Sequence, residues 1–145
     1  MHSLRPIQRP FMTVDVFTAM PYKGNPVAVV LDATGLDTAQ MQAFARWTNL
    51  SETTFVLLPS AAARAQGADY RVRIFTPAAE MPFAGHPTLG TCHAWLAQGG
   101  QPQQAERIVQ ECAKGLITIE RTADGLSFAN PSTSAIQLPA NLHEI

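Results

Sequence analysis

Two short stretches of this chain place reactive side chains beside backbone and apolar residues that could tune them. In Glu80–Leu96, EMPFAGHPTLGTCHAWL, a histidine stands between glycine and proline at the entry to an apolar helical run. Proline suits the first helical position, where its missing N–H is no loss, so the spacing puts Pro87 first in the helix and His86 at the cap. Histidine lacks the side-chain oxygen with which Ser, Thr, Asp or Asn would bond the first N–H groups, which leaves those donors for water or an anion. Gly85 presents no side chain, the helix dipole favours negative charge and the imidazole adds a donor, so a carboxylate would fit. The same residues also read as a plain turn into a core helix, with His86 bonded to nearby backbone.

Glu52, in NLSETTFV (Asn49–Val56), lies between the end of an amphipathic segment and the first apolar residues of a strand. A carboxylate against apolar walls binds its proton more tightly, as a general acid/base near neutrality requires; a solvated glutamate at a strand entrance is the other reading. Asn25, in Gly24-Asn25-Pro26, either lines a pocket or belongs to an ordinary turn. Ser51 beside Glu52 suggests a nucleophile for His86, but the chain has no G-x-S-x-G elbow and no ordered acid partner. A metal trio of Glu80, His86 and His93 is conceivable but matches no recognised ligand spacing. Cys92 and Cys112 form no CxxC pair and read as buried free thiols.

The elements that must position these groups follow from periodicity. Met12–Thr18 and Pro26–Asp32 read as strands of a hairpin with AMPYKGN as the turn. Asp37 and Gln40 resemble a capping box, and Met41, Phe44, Ala45 and Thr48 recur at helical spacing up to Asn49. TTFVLLP and DYRVRIF follow as strands, the second with Tyr70, Val72 and Ile74 on one face and Arg71 and Arg73 on a wet one. Between them Pro59–Asp69, PSAAARAQGAD, has the small-residue composition of an exposed loop. The apolar helix ends at Gly99-Gly100, and ERIVQEC, LITIER and LSFANP then form hairpins turned at Lys114-Gly115 and Ala123-Asp124-Gly125. Tight turns force antiparallel pairing, and Leu89–Leu96 is the natural object for the sheet to wrap, so the expected class is α+β.

Composition narrows the function classes. The 145 residues suit one domain, with 46% hydrophobic and 14% charged residues, as in an ordinary globular protein. Ten basic and eleven acidic side chains give a net charge of −1 without long single-sign runs, which argues against a nucleic-acid partner. No apolar run approaches membrane-spanning length, and MHSLRPIQRPFM lacks the apolar core of a secretion signal. The expectation is a cytoplasmic protein with no membrane role.

Three ordered motifs, VDVFTAMPYKGNPVAVVL, NLSETTFVLLP and YRVRIFTPAAEMPFAGHPTLGTCHAWL, strongly resemble the N-terminal half of the PhzF-like phenazine-biosynthesis family. The resemblance runs from about Thr13 to Pro131 and includes KGLITIERTADGLSFANP less specifically. It implies a diaminopimelate-epimerase-like lobe, with mainly antiparallel strands wrapped as a sheet or barrel around a central apolar helix. It also implies a cofactor-independent isomerase that moves a proton between carbons of a small unsaturated or cyclic carboxylic acid. The glutamate of the family's S-E-T motif matches Glu52, implying the acid/base role, and the G-H-P-T motif matches Gly85, His86 and Thr88. These three then hold the substrate carboxylate or its developing charge, with Ser51 and Asn25 as pocket neighbours. Epimerase branches carry a reactive cysteine where this chain has Ala84, so two-thiol racemisation is not implied.

The resemblance divides the chain into a flexible N-terminus over 1–11, a lobe over 12–131 and a segment over 132–145 leading toward a second lobe. Family members are about twice this length and carry a second acid in that lobe. Three readings follow: the N-terminal half of an isomerase that docks with a second lobe, a half-length homodimeric isomerase, or a non-catalytic module for small carboxylates or protein interaction. An exposed apolar face where the other lobe docks would favour either catalytic reading, whereas a polar, closed surface would favour the third.

Overall fold

A computed structural model describes residues 6–129. Its elements are, in order, β1 (Phe11–Val16), β2 (Asn25–Val30), α1 (Thr38–Thr48), β3 (Glu52–Leu57), α2 (Ala61–Ala65), β4 (Tyr70–Phe75), β5 (Glu80–Met81), α3 (Gly85–Ala97), β6 (Arg107–Cys112), β7 (Gly115–Thr122) and β8 (Gly125–Phe128). The strands form one sheet in the order β1-β2-β3-β4-β6-β7-β8, with β5 beside β4. The tight connections give antiparallel neighbours at β1/β2, β6/β7 and β7/β8, as the turn chemistry requires. Helical crossovers give the parallel pairs: α1 separates β2 from β3, and α3 separates β4 from β6.

The expected α+β lobe is the one observed. The helix α3 touches β1, β2 and β3 near one end of the strand order and β8 at the other, so the sheet curls around it. Around α3 lies the larger core, including Val27, Val29, Val72, Ile74, Ile108, Ile117 and Ile119. A second core lies on the outer face of the sheet, where α1 brings Met41 and Ala45 against Val30, Phe55 and Phe75. Because β2 is covered on both faces it reads as a continuous apolar run rather than an alternating one.

The capping box forms: Asp37 accepts from the Gln40 N–H at 2.8 Å, and Gln40 Oε1 accepts from the Asp37 N–H at 2.9 Å. Asn49 closes α1 in the left-handed conformation, φ 58°, and turns the chain directly into Ser51 and Glu52. On the outer face of β4 Arg71 is exposed, whereas Arg73 is tied down by Glu80 and Thr38, and Phe75 is buried under α1.

Three expectations need correction. Pro59–Asp69 is not all loop: Ser60 accepts from the Ala63 N–H and caps the short helix α2, because a run of alanines after a good cap favours a turn of helix. The N-terminal boundary also moves, since Pro10 O accepts from the Leu31 N–H at 2.8 Å and Arg9 donates to Asp32 O and Thr34 O, so ordered structure begins before Met12. The helix α3 starts at Gly85 with Ala84 as its cap, so His86 is not the cap and Pro87 is the third helical residue. Proline is tolerated throughout the first turn, where no N–H is needed, so its position alone did not settle the start. The segment 132–145 lies outside the described residues.

Gly90 is where α3 comes closest to the sheet. A Cβ there would run into Val27 Cγ1 and lie 3.0 Å from Val16 Cγ2. Gly90→Ala should therefore destabilise the chain by about 1–3 kcal/mol through overpacking, measured by urea unfolding. Combined with Val27→Ala, the loss should be smaller than the sum of the single losses.

Candidate active site at the start of helix α3

The site forms where the N-terminal ends of three elements meet. Strands β2 and β3 run parallel with Val27 beside Glu52, which puts Asn25 and Glu52 at the same end of the pair. The first turn of α3 delivers His86 to that end. Its Nδ1 lies 2.8 Å from Glu52 Oε2, and the two side chains are 7% and 17% exposed. The opposite ring nitrogen, Nε2, lies 2.9 Å from the Asn25 backbone carbonyl, while Asn25 Nδ2 is a longer 3.4 Å from Nδ1.

These contacts constrain the protons. A carbonyl oxygen only accepts, so Nε2 carries a hydrogen and donates it to Asn25 O. Glu52 Oε2 is shielded from solvent and is not aligned with any donor as a formed hydrogen bond, despite its 2.8 Å approach to Nδ1. A bare ring nitrogen and a carboxylate oxygen at that distance would repel each other. A proton on Oε2 or on Nδ1 would turn this contact into a hydrogen bond.

The helix start supplies donors. Ala84 makes no side-chain cap, Pro87 has no N–H, and the Gly85 and His86 N–H groups have no acceptor among the described residues. Thr88 is different: its N–H bonds Ala84 O at 3.3 Å, its hydroxyl donates to the same carbonyl at 2.8 Å, and it is fully buried. Thr88 thus supports the helix start from below and offers no free donor. Ser51 is exposed at the lip of the site.

Gly85 has a packing reason that the sequence did not reveal. A Cβ there would lie 2.9 Å from Cζ of Phe128, whose ring meets Phe83 edge-on at 5.6 Å. On the other side Phe17 places its ring 6.1 Å from the His86 ring, on a backbone at φ 66°. Neither aromatic was singled out from the sequence. Phe128 is far away along the chain, and a positive φ at phenylalanine has no local signature.

The other candidates do not join the site. Glu80 is held by Arg73 through two bonds of 2.8 Å, which keep its carboxyl below the usual range, and His93 is exposed. Among the described residues no three metal-binding side chains cluster. Cys92 and Cys112 are buried free thiols, and burial pushes the Cys92 thiol up to about 12.

Two outcomes follow from this packing. With its ionisation raised to about 12, Cys92 has roughly one thiolate in ten thousand at about pH 8, so a thiol reagent should label it only after denaturant is added. Gly85→Ala should destabilise the chain by about 1–2 kcal/mol, and a double-mutant cycle with Phe128→Leu should recover part of that loss.

Comparison with known proteins accords with this geometry. The family described as phenazine biosynthesis-like protein, PhzC-PhzF, matches residues 14–140. The chain is 50% identical over 115 residues to antisense-enhancing sequence 1 of Schizosaccharomyces pombe, covering 79% of this chain and 37% of that protein. It is 46% identical over 110 residues to trans-2,3-dihydro-3-hydroxyanthranilate isomerase of Pseudomonas fluorescens, covering 76% of this chain and 36% of that one. Among solved structures, the Bacillus anthracis phenazine biosynthesis protein of the PhzF family superposes with a TM-score of 0.71 at 33% identity, over 81% of this chain and 39% of that one. A hydroxyproline epimerase from Agrobacterium vitis shares the fold alone, with a TM-score of 0.50 at 14% identity over 74% of this chain and 35% of that one. The chain thus spans well under half the length of the relatives it matches. With the match running from within β1 through β8 and over the whole Glu52–His86 site, the chain belongs to the phenazine biosynthesis-like, PhzC-PhzF, protein family.

Proposed function

We propose that this chain is the acid/base lobe of an isomerase that moves a proton between carbons of a small unsaturated or cyclic carboxylic acid. The observation that carries the reading is the shielded Glu52 oxygen 2.8 Å from His86 Nδ1, beside the uncapped start of α3. Glu52 takes the proton from one carbon and returns it to another, while His86 holds or relays it. The Gly85 and His86 N–H groups, at the positive end of the helix dipole, hold the substrate carboxylate or the charge that develops during transfer. Asn25 fixes the imidazole through its carbonyl. The name of the Pseudomonas fluorescens relative, trans-2,3-dihydro-3-hydroxyanthranilate isomerase, supports an unsaturated cyclic amino acid as the substrate class.

The surface beside the site supports completion by a second lobe or a second copy. The β1–β2 connection exposes Phe17 (56%), Met20 (64%) and Tyr22 (98%), and of these Phe17 has its ring 6.1 Å from that of His86. Covering this surface would exclude water and strengthen every charge interaction in the site. A non-catalytic carboxylate-binding role would use the same helix start but would not need a shielded carboxylate in contact with the imidazole.

The test is deuterium uptake from solvent into the carbon skeleton of trans-2,3-dihydro-3-hydroxyanthranilate, followed by mass spectrometry with the chain alone and with a matching second lobe added. Exchange should fall by about a thousandfold in Glu52→Gln, with binding of the acid retained. Binding without exchange in either assembly would favour the non-catalytic module.

A further inference from the structure

A buried chain of hydrogen bonds runs from the start of α3 into the sheet. Thr88 Oγ1 donates to Ala84 O at 2.8 Å and accepts from Gln110 Nε2 at 3.2 Å; Gln110 Oε1 accepts from the Tyr70 hydroxyl at 3.0 Å. All three side chains are enclosed, with Thr88 and Gln110 fully buried and Tyr70 1% exposed. Tyr70 and Gln110 are also cross-strand partners, in a parallel β4/β6 pairing of only two residue pairs, where the two halves of the sheet join. Three polar side chains inside an apolar core are unfavourable unless each is satisfied. Here each one is, and the chain of bonds ends on the carbonyl of the helix cap.

The surroundings of α3 explain what such bonds add. Most of the helix is enclosed, with small residues such as Gly90, Cys92 and Ala94 buried and His93 exposed. The close fit of Gly90 against Val27 and the buried 2.7 Å hydroxyl bond between Thr54 and Thr91 hold the middle of α3, and the Thr88–Gln110 bond holds it nearer its start. A slide of one residue, about 1.5 Å, would separate His86 from Glu52. Hydrogen bonds have fixed lengths and directions and resist such a slide.

We propose that Gln110, through Thr88 and anchored by Tyr70, is a positioning residue that helps set the register of α3 and thereby the Glu52–His86 contact. This assignment rests on the reading of that pair as the proton-transfer site. Gln110 touches neither Glu52 nor a substrate; it acts through the helix.

The experiment follows the His86 imidazole ¹⁵N signals and benzoate binding in the intact chain. Thr88→Val and Gln110→Met keep volume and remove the bonds. Both should shift the imidazole signals toward those of a solvated ring and weaken benzoate binding on the order of tenfold. Thr88→Ser restores the hydroxyl and should restore both readouts. Ile108→Val loosens the same core without touching the bonds and should leave the imidazole signals in place. Unchanged signals in folded Thr88→Val and Gln110→Met, or an equal shift in Ile108→Val, would overturn the proposal. If those two variants do not fold, Tyr70→Phe, which deletes one hydroxyl, carries the same expectation at smaller amplitude and decides it. Failure of the wild-type chain to bind benzoate would count against the carboxylate site, while the imidazole signals would still decide the register.

Discussion

Everything in this lobe depends on enclosing a helix that has no polar face. The helix α3 carries buried residues from His86 to Ala94 with only His93 exposed among the central positions, so a single flat sheet could not cover it. The curl of the sheet is the geometric answer: strands from both ends of its order reach the helix. Burial of this kind supplies most of the driving force, at about 25 cal/mol per Å² of apolar surface.

Enclosure also creates the site. A helix threaded through a curled sheet must emerge at its rim, and its first turn emerges where β2 and β3 begin. Backbone donors at the helix start, a carboxylate at the start of β3 and a carbonyl at the start of β2 are thereby brought together by elements separated by tens of residues. The site is made of element ends because these are the places where backbone groups remain unpaired once the helix and sheet bonds are made. Small residues permit this: Gly90 allows the approach to Val27, and Gly85 leaves room for Phe128 beneath the donors.

Much of this was legible along the chain. The hairpins, the Asp37–Gln40 box and the buried face of β4 follow from local periodicity and turn chemistry, and each is observed. The motifs around Glu52 and Gly85-His86 also singled out residues that the fold brings together, because sharp changes of composition at element ends are local features. The errors were local as well: the alanine run after Ser60 resembled a loop, and proline's freedom within the first helical turn displaced the start of α3. Phe17, Phe128 and Gln110 were missed because their roles lie in partners 22 to 69 positions away.

By itself, then, the sequence determined the class of the fold, the order of its strands along the chain, its central helix and the residues able to handle a proton. Only the tertiary structure decided that Glu52 meets His86, that Thr88 faces inward to Gln110 and that an aromatic ring lies against Gly85. The physical reason is the range of the forces involved. Periodicity, caps and turns act over a few residues and leave their mark in the sequence, whereas a hydrogen bond or a close contact between distant segments exists only once enclosure of α3 has fixed where those segments lie.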